Sequence, residues 1–216
     1  MLITFEGIDG CGKSTQARLL AEGLEAAGYE VLLVREPGGT ALSERVRSLL
    51  LDPDLSVVPM AELLLFSAAR AQLVAERIRP ALERGEVVIC DRFYDSSTAY
   101  QGGGRGVAPE AWLRQLHDRV TGGLRPDRTY LIDVPPGVAR RRRRERTADR
   151  MEAANEAFFE RVVAAYHRLA EAEPDRFLRL DGTRSVDELH AQIWADLRGR
   201  LPVPPGTPPV RNGSPP

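Results

Sequence analysis

The sequence predicts an α/β fold, a five-stranded parallel sheet with helices on both faces, and three observations carry that prediction. Short β-prone apolar runs alternate with amphipathic helical ones along the chain, the order that builds a parallel sheet. One run, Val87-Val88-Ile89-Cys90, is apolar throughout, as expected of a strand covered on both sides. Near the start, Gly7-Ile8-Asp9-Gly10-Cys11-Gly12-Lys13-Ser14 fits G-x-x-x-x-G-K-[ST], the phosphate-cradling loop that joins a strand to a helix. Together they indicate a P-loop NTPase fold.

Leu2-Ile3-Thr4-Phe5 supplies the strand before that loop, and Leu19, Leu20 and Leu24 mark the apolar stripe of the helix after it. Gly28 stops the helix and Tyr29–Val34 reads as a second, buried strand. Arg35-Glu36-Pro37-Gly38-Gly39-Thr40 is a turn-rich loop whose Thr40 can cap a helix to about Leu51. A long helix is expected from Pro59 to Arg84, with Pro80 as a kink. Val87–Cys90 runs into Asp91-Arg92-Phe93, then a helix around Asp95–Tyr100 and a glycine-rich loop, Gly102–Gly106. Pro109 opens a helix to about Thr121, and Arg128–Val134 is the fourth strand. A helix from about Asn155 to Ala172, a strand at Arg176–Leu180 and a last helix marked by Val186, Leu189, Ile193 and Leu197 complete the pattern. The loops at 7–14, 35–40, 91–94 and 181–183 all follow strands, so they share the carboxyl edge of the sheet, where ligands collect.

The 216 residues suit one domain, spanning 1–200, with a tail from 201 to 216. Seven of the fifteen residues from Pro202 onward are proline, so the tail is expected to be disordered. A net charge of −1 gives the molecule no field that would recruit nucleic acid or an anionic membrane. Cys11 and Cys90 show neither metal nor disulfide spacing, and no run is apolar enough to span a membrane; a cytoplasmic protein is expected.

Lys13 is the only lysine among 30 basic residues. A composition drifted this far toward arginine keeps lysine where a compact, flexible charge must reach between phosphates. The same fact excludes the N-K-x-D element that reads guanine. Arginines recur at the strand-end edge: Arg35, Arg92, Arg70 one helix over, and a run at 140–150. A hydroxyl acceptor would call for a carboxylate base. A phosphate monoester, with a second pKa of about 6, needs no base, only cations that bring two anions together. The inventory therefore favours a nucleoside-monophosphate kinase over a nucleoside or sugar kinase. Nucleoside-monophosphate and deoxynucleoside kinases of differing substrate are the nearest alternatives to one another, and a nucleic-acid-binding ATPase using the arginine run is a more distant one.

Four motifs in order, Phe5-Glu6-Gly7 entering the P-loop, Arg35–Thr40, Asp91-Arg92-Phe93 and Ala99-Tyr100-Gln101-Gly102-Gly103-Gly104-Arg105-Gly106, resemble the bacterial thymidylate kinase family from residue 1 to about 200. The resemblance implies phosphorylation of dTMP to dTDP by ATP with Mg²⁺, in a homodimer. Gly7, Gly10, Cys11, Gly12, Lys13, Ser14 and Thr15 would hold the ATP phosphates, with Ser14 and Asp91 at the metal. Arg35 and Arg92 would clamp the dTMP phosphate and Asp9 would reach the sugar 3′-hydroxyl. Phe66 would stack on thymine while Arg70 bonds its O4 edge, with Ser97 and Gln101 nearby. Tyr100 would crowd the 2′ carbon and so select deoxyribose. Because Gly10 stands where some relatives carry a P-loop arginine, the catalytic arginine would come from a small arginine-rich lid at 140–150. Arg146 and Arg150 would act there beside the catalytic Lys13 and Arg92, and Arg142 on the adenine side. On the residues alone, Phe66 on its leucine-rich helix reads as core ahead of a base platform, Tyr100 equally as a packing aromatic, and Arg70 as a surface arginine. His117, His167 and His190 read as surface or packing residues.

Overall fold

A computed structural model describes residues 1–143 and 155–202. Five strands are present: β1 (Leu2–Glu6), β2 (Val31–Arg35), β3 (Val87–Asp91), β4 (Arg128–Asp133) and β5 (Phe177–Asp181). All neighbours pair in parallel, in the order β2-β3-β1-β4-β5. Central β1 thus delivers the phosphate loop to the middle of the carboxyl edge.

Successive residues of a strand point to opposite faces, and β3 divides its side chains accordingly. Val88 and Cys90 pack with Leu73 of α3 (Pro59–Leu73) and with Val74 and Ile78 beyond it. Val87 and Ile89 join Leu20 and Leu24 of α1 (Lys13–Ala26) and Ile193 of α9 (Val186–Leu197). β2 departs from the expectation of a buried strand. It has a neighbour on one side only, and Leu33 is 43% exposed.

The helix expected over 59–84 is interrupted by a π turn, Val74–Ile78, before it resumes as α4 (Arg79–Glu83). Pro80 has no N–H to give the preceding turn and its ring crowds the carbonyl four residues back, so the backbone widens just ahead of it. α2 (Ala41–Leu51) is capped as expected, Thr40 Oγ1 accepting from the Ser43 N–H (3.1 Å).

The glycine-rich stretch is the clearest correction. α5 (Tyr94–Ser97) continues as a π turn, Thr98–Gly104, so most of the expected loop is helical. Gly103 and Gly104 provide space rather than a turn, whereas Gly106, past the helical part, takes φ 66° with open space around it. A Cβ on Gly103 would stand 2.5 Å from the Ala165 Cβ, and one on Gly104 2.5 Å from the Phe158 ring, both on α8 (Glu156–Ala172). α6 (Glu110–Thr121) follows, with His117 buried against Tyr94 at 5.3 Å in a stacked arrangement; burial holds its pKa down to about 3, so it packs as a neutral ring.

α7 (Pro136–Arg143) takes in the first arginines of the run. Arg146, Arg150 and the tail from 203 onward lie outside the described residues. Among those described, no helix is long and apolar enough to cross a membrane.

Candidate active site

Gly7 leaves β1 with φ 134°, and a Cβ there would stand 2.4 Å from the Ile132 carbonyl oxygen, so the loop passes β4 only as glycine. Gly10, Cys11 and Gly12 complete the bend, closed by the Cys11 N–H on the Ile8 carbonyl (3.2 Å). α1 then begins at Lys13 with no side-chain cap and no acidic residue in its first turn. The leading N–H groups of Lys13, Ser14 and Thr15 therefore face the loop, as in a phosphate site. Lys13 Nζ lies within the loop and donates to the Ile8 carbonyl (2.9 Å). Ser14 Oγ donates to Asp91 Oδ2 (2.5 Å), which brings the two expected metal ligands together. A hydroxyl and a carboxylate side by side are the hard oxygen donors that fit Mg²⁺. Arg142 reaches from α7 to the Cys11 carbonyl (3.4 Å) and the Gly182 carbonyl (2.9 Å), bridging the phosphate loop and the turn after β5.

Beside the loop lies a cleft lined by six of the expected substrate residues: Asp9, Phe66, Arg92, Ser97, Tyr100 and Gln101. Arg92 joins the two halves. Its backbone takes φ 71°, a left-handed conformation that costs a non-glycine residue about 1–2 kcal/mol. That conformation aims the guanidinium at the loop, where Nη2 meets Asp9 Oδ1 (2.6 Å) and its charge lies 5.0 Å over the Tyr100 ring. The Tyr100 hydroxyl donates to Asp9 Oδ2 (2.9 Å). Burial would push Asp9 up, but Arg92, Lys13 and the Tyr100 hydrogen bond outweigh it and hold the carboxyl well below the usual carboxylate range. Asp9 is thus a fixed anion between the phosphate loop and the cleft. Gln101 is held from behind, its Nε2 donating to Glu62 (2.9 Å).

Arg70 is not a surface arginine. It is 1% exposed, with Nε on Glu36 Oε2 (2.7 Å) and Nη2 on the Phe93 carbonyl (3.3 Å) and Ser97 Oγ (3.1 Å). Its Nη1 and Glu36 Oε1 are buried without a hydrogen-bond partner among the described residues. Burial raises the Glu36 pKa despite the Arg70 charge. Two expected residues do not line the cleft: Arg70 stands behind it, holding the lining residues Glu36 and Ser97, and Arg35 faces Glu44 (3.2 Å) in an exposed ion pair.

Several cleft residues had no signal in the sequence. Arg47 and Leu51 lie one turn apart on α2 and line the cleft with Ser96, beside Glu36 and Pro37 of the 35–40 motif. An arginine and a leucine at that spacing look like any amphipathic helix.

A phosphate loop at the centre of a parallel sheet, sharing an edge with an arginine-walled cleft, defines a P-loop kinase acting on nucleoside monophosphates. The family model described as thymidylate kinase matches residues 5–193. The thymidylate kinase of Deinococcus radiodurans is 52% identical over 201 residues, covering 93% of this chain and 97% of the relative. That of Chlorobium chlorochromatii is 49% identical, covering 93% and 96%. Among solved structures, the thymidylate kinase from Ehrlichia chaffeensis superposes with a TM-score of 0.75 at 37% identity, covering 91% of this chain and 98% of that one. The chain belongs to the thymidylate kinase family.

Proposed function

We propose that this protein transfers the γ-phosphoryl group of ATP to dTMP, yielding dTDP. The observation that carries the reading is the Asp9–Arg92 pair, which stands where the phosphate loop and the cleft adjoin. ATP phosphates lie on the loop N–H groups and Lys13; the dTMP phosphate lies against Arg92, and Arg35 turns to it from Glu44. Phe66 stacks on the base. Arg70 Nη1 and Glu36 Oε1, one donor and one acceptor lacking partners, suit a base edge that offers both an acceptor and an N–H. Tyr100 closes the space beside the sugar, Asp9 takes its 3′-hydroxyl, and Ser97 and Gln101 face the base. Ser14 and Asp91 would hold Mg²⁺, which would supply charge neutralisation during phosphoryl transfer. Arg146 and Arg150 are the proposed lid arginines and Arg142 the adenine neighbour, within one kinase domain over 1–200 that carries a lid at 140–150 and a tail at 201–216.

An ADP-release assay across dTMP, dUMP, UMP, CMP, AMP and thymidine tests the activity: dTMP should lead, and no preference for it removes the proposal. Replacing Arg146 and Arg150 by Ala should depress kcat far more than dTMP affinity; equal losses would assign them to binding. We also propose a cytoplasmic homodimer. Both cysteines are free thiols, which suits a reducing compartment. Leu42, Leu49, Val58, Met60 and Leu64 expose apolar surface on or beside α2 and α3. Light scattering at micromolar concentration decides the dimer, and a monomer mass refutes it.

A further inference from the structure

Arg92 is gripped on two sides. Its Nη2 meets Asp9 and the Tyr100 hydroxyl (3.3 Å) on the cleft side. Its Nη1 donates to the Gly7 carbonyl (3.0 Å), Ser96 Oγ (2.9 Å) and the Tyr166 hydroxyl (3.4 Å) on the other. Behind those two hydroxyls stands Glu6, wholly buried at the end of β1. Its Oε2 accepts from Ser96 Oγ (2.6 Å) and from the Tyr166 hydroxyl (2.8 Å), and its Oε1 accepts from the Phe93 N–H (2.8 Å). None of the roles given above uses Glu6 or Tyr166.

A hydroxyl has one proton to donate. When Ser96 and Tyr166 both give theirs to the Glu6 carboxylate, their lone pairs are left facing Arg92, and both bonds to Nη1 gain their direction from the anion behind them. A neutral amide in place of the carboxylate would offer N–H groups of its own, and at least one hydroxyl would have to turn its proton elsewhere. Burial and the neighbouring Asp95 push Glu6 up to about 7, against the pull of Arg92, Ser96 and the Phe93 N–H. Above that pH the bridge is anchored on an anion. Its far post is rigid as well: Tyr166 rides on α8, whose Arg161 also donates to the Gly104 carbonyl (2.8 Å).

We infer that Glu6 and Tyr166 are positioning residues for Arg92: a bridge of two hydroxyls carries the hold of the buried carboxylate to the guanidinium and fixes its aim at the acceptor phosphate. The inference rests on the reading of Arg92 as a phosphate ligand.

Calorimetric titration with dTMP at pH 8 tests it, using Tyr166→Phe and Glu6→Gln in the native background and in Arg92→Ala. In the native background, Tyr166→Phe should weaken dTMP about 3- to 10-fold and Glu6→Gln about 10- to 100-fold, with ATP affinity within about twofold. In Arg92→Ala neither should cost anything further, because the group they aim is gone. Equal losses in both backgrounds, a matching loss of ATP affinity, or an unaltered Tyr166→Phe would each overturn the inference while leaving Arg92 on the phosphate. If Arg92→Ala itself binds dTMP normally, the phosphate reading falls and the inference with it. Tyr166→Phe removes a single oxygen and keeps the test decisive should Glu6→Gln fail to fold.

Discussion

The phosphate loop presents main-chain N–H groups from consecutive residues, whereas the cleft beside it is walled by side chains from the loop after β1, the turn after β2, α2, α3 and the 92–101 segment. The two halves share an edge but are stabilised differently. In the loop, Lys13 hydrogen-bonds only the Ile8 carbonyl and the Cys11 sulfur of its own turn among the described residues. At the cleft and behind it, two arginines also hold the protein together. Arg70 is buried against Glu36, and Arg92 ties Asp9, Gly7, Ser96, Tyr100 and Tyr166 into one network. On the proposed roles, function and stability are therefore separable on the donor side and merged on the acceptor side.

Lys13→Arg should expose that difference most sharply. Turnover should fall about 10²- to 10³-fold, the scale of a lost transition-state donor, while the melting temperature stays within about 2 °C. Near-native turnover would mean that the lone lysine is an accident of composition. Arg70→Met should do both kinds of damage. It strands a buried carboxylate, so stability at pH 8 should drop by about 3–5 kcal/mol, and KM for dTMP should rise. Glu36 is already raised by burial and loses the charge that lowered it, so it will take up a proton more readily. The stability loss measured by urea unfolding should therefore be smaller at pH 5 than at pH 8. A variant as stable as the native protein at pH 8 would break the comparison.

Gly103→Ala tests the packing behind the cleft. The added carbon meets Ala165, so a loss of about 1–3 kcal/mol is expected. Because Tyr100 and Gln101 lie on the same π turn, dTMP affinity should weaken with ATP affinity unchanged. Arg35→Ala should matter least: its ion pair with Glu44 is exposed, so stability should change by less than about 1 kcal/mol. KM for dTMP should rise less than in Arg92→Ala, and an equal rise would put Arg35 on the phosphate on the same terms.

The sheet, its order of elements and the phosphate loop were legible because each depends on neighbours in the chain. Apolar period, capping residues and glycine spacing are local properties; the meeting of Ser14 with Asp91, 77 residues on, was expected only from the family resemblance. The stretch 102–104 was misread for the opposite reason. Three glycines in a row resemble a loop until α8 is seen pressed against them. The π turn before Pro80 and the exposed edge position of β2 also depend on what lies alongside.

The arginines mark the boundary most clearly. A sequence with one lysine shows where a flexible point charge is required, and Lys13 could be read directly. It does not rank the remaining cations, because one arginine has the same local signature as another. Only the folded chain separates Arg92, strained and gripped from two sides, from Arg70, buried on Glu36, and from Arg35, exposed on Glu44. That sorting depends on carboxylates far away in the chain, Glu36 34 residues from Arg70 and Asp9 83 residues from Arg92. Their pairing follows from which strand ends and helices meet, a property of packing that no local stretch of residues encodes.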